Sequence, residues 1–78
     1  MSVETVSVIN CHRLGIRKDP TITEFAEEIV GYADAGETLE ANFEDLVYSW
    51  QGVEFVGVTT DSGVIGYANT RCLKRNRR

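Results

Sequence analysis

Val53-Glu54-Phe55-Val56-Gly57-Val58-Thr59-Thr60-Asp61-Ser62-Gly63-Val64-Ile65-Gly66-Tyr67-Ala68 is the stretch that decides the fold class. Its first half is rich in β-branched and aromatic residues with partial period-two alternation, the pattern of a strand rather than a helix. Asp61-Ser62-Gly63 then reads as a tight hairpin turn in which the glycine supplies a positive φ, and residues 64–68 return as the partner strand. Working outward, Glu37-Thr38-Leu39-Glu40-Ala41-Asn42-Phe43 alternates polar with apolar, as a half-buried strand does. Residues 44–51 read as a longer polar-aromatic loop. On the far side, Asn69-Thr70-Arg71 breaks the pattern and Cys72-Leu73-Lys74 ends the fold.

Towards the N-terminus, residues 3–9 carry β-branched alternation with Val6 and Val8 on one face. Leu14 and Ile16 resume that alternation after Cys11-His12-Arg13, which suggests one strand with an irregularity. Lys18-Asp19-Pro20-Thr21 stops it, because proline donates no ladder hydrogen bond. The next segment carries conflicting signals. Thr21-Ile22-Thr23-Glu24 has the form of a capping box, and Ile22, Phe25, Ala26, Ile29, Val30 and Ala33 fall at helical spacing before Gly36. Gly31 inside that run costs a helix about 1 kcal/mol, and Ile29-Val30-Gly31-Tyr32 suits a short strand equally well. The expectation is a helical turn over residues 22–27 and no full helix.

A chain of 78 residues holds one domain with one modest core. Residues 1–74 are expected to form it, with 75–78 as a flexible basic tail. About five or six short antiparallel strands with frequent turns, and too few residues for a two-sheet sandwich, favour a small barrel. The net charge of −4 conceals a strong asymmetry. The basic residues lie at the two ends (Arg13, Arg17, Lys18; then Arg71, Lys74, Arg75, Arg77, Arg78), whereas every acid except Glu4 falls between Asp19 and Asp61. An acidic body repels phosphate, so nucleic acid is not expected there, and only the basic tail offers it a foothold. The longest apolar runs are far below the roughly 20 residues that a helix needs to span a bilayer.

No catalytic constellation emerges. Cys11 adjoins His12, but adjacent strand residues point to opposite faces. Glu27-Glu28 and Glu44-Asp45 are sequence neighbours in polar surroundings rather than a facing carboxylate pair. No glycine-rich phosphate loop occurs. Two cysteines and one histidine cannot build a structural zinc site. Neither an enzyme nor a cofactor or metal is expected. Cys11 and Cys72 are compatible with two thiols or with one disulfide closing a loop of about 60 residues, depending on the redox compartment.

The order of short motifs resembles the bacterial SH3 domain family. Leu14-Gly15-Ile16-Arg17 with Pro20, Ile29-Val30-Gly31, Gly36-Glu37-Thr38-Leu39, Phe55-Val56-Gly57-Val58, Asp61-Ser62-Gly63 and Gly66-Tyr67-Ala68 with Cys72-Leu73 follow in the family's order over residues 5–74. The chain departs from the family's usual residues at Gly15, Phe55, Gly57 and Cys72. The resemblance implies a small SH3-like barrel whose first and last strands are neighbours. That arrangement would bring Cys11 towards Cys72 and gather Arg13, Arg17, Arg71 and Lys74 at one pole. It also implies a ligand site between the two longest loops.

Phe25, Phe43 and Phe55 are expected in the core, having no polar tip to satisfy. Tyr48 and Trp50 are expected as apolar platforms for a ligand with Tyr67 beside them, and Asp19, Glu44 and Asp45 as rim charges selecting a cation. The function implied is a monomeric, non-catalytic module that binds a cell-wall peptidoglycan peptide or glycan, or a protein segment. The rival is a structural assembly domain, as in a phage or mobile element. Residence outside the cell would follow from a longer secreted parent, and the cytoplasm otherwise.

Overall fold

A computed structural model describes residues 3–18, 29–49 and 51–76. Its strands are β1 (Val3–Val8), β2 (Arg13–Arg17), β3 (Ile29–Asp34), β4 (Thr38–Tyr48), β5 (Glu54–Thr59), β6 (Ile65–Asn69) and β7 (Leu73–Arg75), with a 3-10 turn at Thr70–Cys72. All pair antiparallel in one sheet, in the order β3-β2-β6-β5-β4-β1-β7. The all-β, antiparallel expectation therefore holds. Among the described residues there are seven strands rather than five or six, and the hydrogen-bonded order ends at β3 and β7 instead of closing on itself.

Three local differences from the sequence reading have physical causes. The single irregular N-terminal strand is two strands, because Asn10 adopts φ 61° and turns the chain. Asparagine tolerates that left-handed region better than most residues. The polar loop expected at 44–51 is mostly strand, since β4 continues to Tyr48 through a register shift between Asn42 and Leu46. The bulge absorbs the extra residues and lets Val47 pair with Phe55. Ile29–Asp34 takes the strand alternative, which excludes a helix reaching Ala33. The helical turn expected at 22–27, and Phe25 with it, lie outside the described residues.

The core gathers Val6 and Val8 from β1, Leu14 and Ile16 from β2, Ala33 from β3, Leu39 and Ala41 from β4, Val56 and Val58 from β5 and Ala68 from β6. Phe43 packs against this cluster and Phe55 is buried. Gly63 supplies the positive φ of the β5–β6 turn, at 93°. Cys11 and Cys72 are joined by a disulfide with their Cα atoms 6.1 Å apart, and β1 and β7 are neighbours. The basic residues do not all meet at one pole. Arg71 adjoins Cys72 and Arg13 is two residues from Cys11 in sequence, but Arg17 lies at the other end of β2, opposite Tyr67.

Buried Gly66 marks the tightest crossing. A Cβ there would stand 2.7 Å from the Arg17 carbonyl oxygen, 2.7 Å from Ile16 Cγ2 and 3.1 Å from Val30 Cγ2. Backbone and packed core atoms have little room to retreat. Gly66→Ala is expected to destabilise the fold by roughly 1–3 kcal/mol through overpacking. A denaturant midpoint that falls at unchanged slope would show this. An unshifted midpoint would mean that β2 is not held against β6 as described.

Candidate functional site

The register aligns side chains from several strands in cross-strand rows on one sheet face. Val3 pairs with Asn42, Asn42 with Gly57, Gly57 with Tyr67, and Tyr67 with Arg17. In the adjacent row Thr5 pairs with Glu40, Glu40 with Thr59, and Thr59 with Ile65. Directly opposed residues share a face. Core residues Ala41, Val56 and Val58 alternate with these and point the other way. A missing side chain at Gly57 leaves a dip in the first row, and a groove of about 370 Å³ opens there. Val3, Lys18, Glu40, Asn42, Asp45, Ile65 and Tyr67 are among its walls.

The bulge in β4 delivers Asp45 to this dip. Asn42 Oδ1 accepts a 3.0 Å hydrogen bond from the Glu44 backbone N–H, an Asx turn that shapes the bulge. Asp45 then lies over Gly57, with its Oδ2 only 2.6 Å from where a Cβ at 57 would stand. The Tyr67 hydroxyl donates to the carboxylate, 3.1 Å from each oxygen. Two sequence-predicted residues, Asp45 and Tyr67, are thus brought together in a groove that also contains exposed apolar surface at Val3 and Ile65, the latter 74% exposed.

Tyr48 stands elsewhere. It pairs with Glu54, one residue out of phase with Phe55 and Gly57, so the register sends it to the face opposite Tyr67. The residue is 57% exposed, and its hydroxyl donates to Glu54 Oε2 at 2.8 Å. Thr70 Oγ1 donates to the other carboxylate oxygen at 3.0 Å. The Glu54 hydrogen bond, reinforced by its negative charge and slightly by desolvation, raises the Tyr48 phenol above its ordinary pKa. Glu44 is exposed on the bulge. Trp50 and Asp19 lie outside the described residues.

Sequence reasoning missed Asn42, Glu40, Val3, Lys18 and Ile65 as groove residues, and treated Gly57 only as a departure from a family pattern. One signal was present: apolar positions 39, 41 and 43 resume at 46, a change of phase that marks a bulge. Among the described residues no group of three His, Cys, Asp or Glu side chains could hold a metal ion. No family model, curated protein or solved structure matches this chain.

Two measurements test this geometry. Gly57→Ala should cost roughly 1–3 kcal/mol by driving a methyl group into the Asp45 carboxylate. The double variant Gly57→Ala with Asp45→Ala should recover much of that loss, giving a coupling energy of at least about 0.5 kcal/mol. Additive losses would reject the contact. Separately, Glu54→Gln should lower the Tyr48 phenol pKa towards its ordinary value in an NMR titration. Because the folded-state pKa is raised, the Glu54 tie contributes below the unfolded phenol pKa and is lost as pH rises through the folded one. A Tyr48 titration unmoved by the variant would contradict the hydrogen bond.

Proposed function

We propose that this chain is a non-catalytic binding module on an SH3-like barrel, and that the groove over Gly57 takes a cationic peptide segment. The segment class includes the amine-bearing stem peptide of peptidoglycan as well as basic stretches of protein. Support for the barrel comes from the strand order, in which β1 lies between β4 and β7 and a 3-10 turn precedes the last strand. The observation that carries the binding reading is the groove itself. Glu40 and Asp45 contribute carboxylates beside apolar Val3 and Ile65 and the ring of Tyr67. An alkylammonium chain suits such a lining, with its methylenes on the apolar walls and its charge near the carboxylates.

A second reading, assembly with a partner chain, is favoured by β3. Among the described residues this strand ends the sheet, and it exposes Ile29, Val30 and Tyr32. It bears no lysine or proline of the kind that discourages edge pairing.

NMR titration separates the readings. A short lysine-containing peptide at millimolar concentration should shift the amides of Asn42, Gly57, Ile65 and Tyr67. Asp45→Asn and Glu40→Gln should each weaken binding about 3- to 10-fold, and added salt should weaken it further. Stem-peptide fragments titrated in parallel decide whether the cell-wall source is accepted. If an acidic peptide produces the same shifts, or the groove amides stay still, the cationic reading fails. A doubled hydrodynamic mass at micromolar concentration would favour assembly instead.

A further inference from the structure

We infer that the Cys11–Cys72 disulfide is a redox clasp on β7, and that its reduction releases β7 and the 3-10 turn from β1 while the rest of the sheet stays folded. Among the described residues strand β7, three residues long, ends the sheet and pairs only with β1, through Val6–Arg75, Ser7–Lys74 and Val8–Leu73. Half-buried Leu73 is its one residue packed against the core, beside Cys72 of the turn, while Lys74 and Arg75 are exposed. Strand β1, by contrast, is independently held along its other edge by five paired positions with β4. Segments with few buried apolar contacts open at lower free energy than the body they border.

Besides exposed hydrogen bonds between the Ser7 and Asn76 side chains and from the Asn10 amide to the Arg71 carbonyl, two stronger clamps offset that weakness, one at each end of β7. At its C-terminal end the Arg75 guanidinium bonds Glu4 and stacks 4.0 Å from the centroid of the Phe43 ring. At its N-terminal end the disulfide links the turn to Cys11, two residues before β2, spanning 61 positions of sequence. The first clamp is a partly exposed ion pair, which water and salt weaken. The second is covalent and removable. An open recess of about 290 Å³ lined by Asn10, Cys11, His12 and Ala35 lies against it.

The reductant is a dithiol. Its thiolate attacks one sulfur, the Cys11–Cys72 bond breaks to a mixed disulfide, and the second thiolate resolves it. Two electrons and two protons pass to the protein, leaving two thiols, and the reductant leaves as a disulfide. The released state would present the outer backbone edge of β1.

Amide hydrogen exchange on the whole chain, with and without dithiothreitol, tests the inference. The Ile9 N–H donates to the Cys72 carbonyl and the Asn76 N–H to the Thr5 carbonyl, both across the β1–β7 seam. The Val8 N–H donates to the Glu37 carbonyl and the Thr60 N–H to the Val64 carbonyl, both away from it. Reduction should speed exchange at Ile9 and Asn76 by more than about tenfold and leave Val8 and Thr60 unchanged. The double variant Cys11→Ser with Cys72→Ser should reproduce that pattern without reductant. Unchanged exchange at all four amides would overturn the inference, and so would loss of protection at all four together, since the disulfide would then hold the whole fold.

Discussion

The missing Cβ of Gly66 is the constraint on which the rest of the structure depends. It lets the Arg17 carbonyl and the Ile16 side chain lie against β6 at a distance that no other residue type permits. That approach seats the β2–β3 hairpin on the sheet, and the hairpin brings Leu14, Ile16 and Ala33 to the core. A chain of this length has little apolar surface to spare, so a hairpin held an ångström farther out would leave Val56 and Val58 facing a void. The same contact places Tyr67 opposite Arg17, which begins the row of side chains from which the groove is built.

Gly57 repeats the device on the opposite face. Where Gly66 admits a backbone, Gly57 admits a carboxylate, because the β4 bulge carries Asp45 across the space a side chain would fill. The two glycines are linked through the ladder: Val58 pairs with Gly66 and Gly57 with Tyr67. A shift of one residue in this register would exchange core and groove faces along β5 and β6 together. Packing of Val56, Val58 and Ala68 therefore also fixes where Tyr67 and Asp45 meet.

Strands and turns with strong local chemistry were legible in the sequence. The β5–β6 hairpin with its Gly63 turn and the alternation at Leu39 and Ala41 appear as read, and the approach of Cys11 to Cys72 follows from β1 and β7 being neighbours. What escaped were features set by pairing between distant segments. Nothing local to Glu44, Asp45 or Tyr48 says that they continue a strand; that depends on β5 lying alongside and on a bulge that restores the phase. The same bulge explains why Tyr48 and Tyr67, both aromatic and both beside acids in space, belong to opposite faces. The split of the first strand hinged on Asn10 in a left-handed conformation, a state that asparagine permits but does not demand.

The charge distribution bears on how strongly such a groove can act. Ion pairs tie Arg13 to Asp34 and Arg75 to Glu4, so these cations are engaged away from Glu40 and Asp45. Lys18 contributes a positive charge to the groove wall, while Tyr67 takes up part of the hydrogen-bonding capacity of Asp45. An exposed ion pair contributes about 1 kcal/mol or less, so in the proposed binding role the carboxylates would select the sign of a ligand more than hold it. Retention in that role would fall to contacts with Val3, Ile65 and the Tyr67 ring, on an open surface rather than in an enclosed pocket. These terms together suit a millimolar site, on the order of 4 kcal/mol. A site of that strength becomes effective when several act on one repetitive ligand, because linkage raises the local concentration without any new contact. Repetition is a property of polymeric walls and of multi-copy assemblies alike, and on the proposed reading it would make the spacing of such sites as consequential as the chemistry inside this groove.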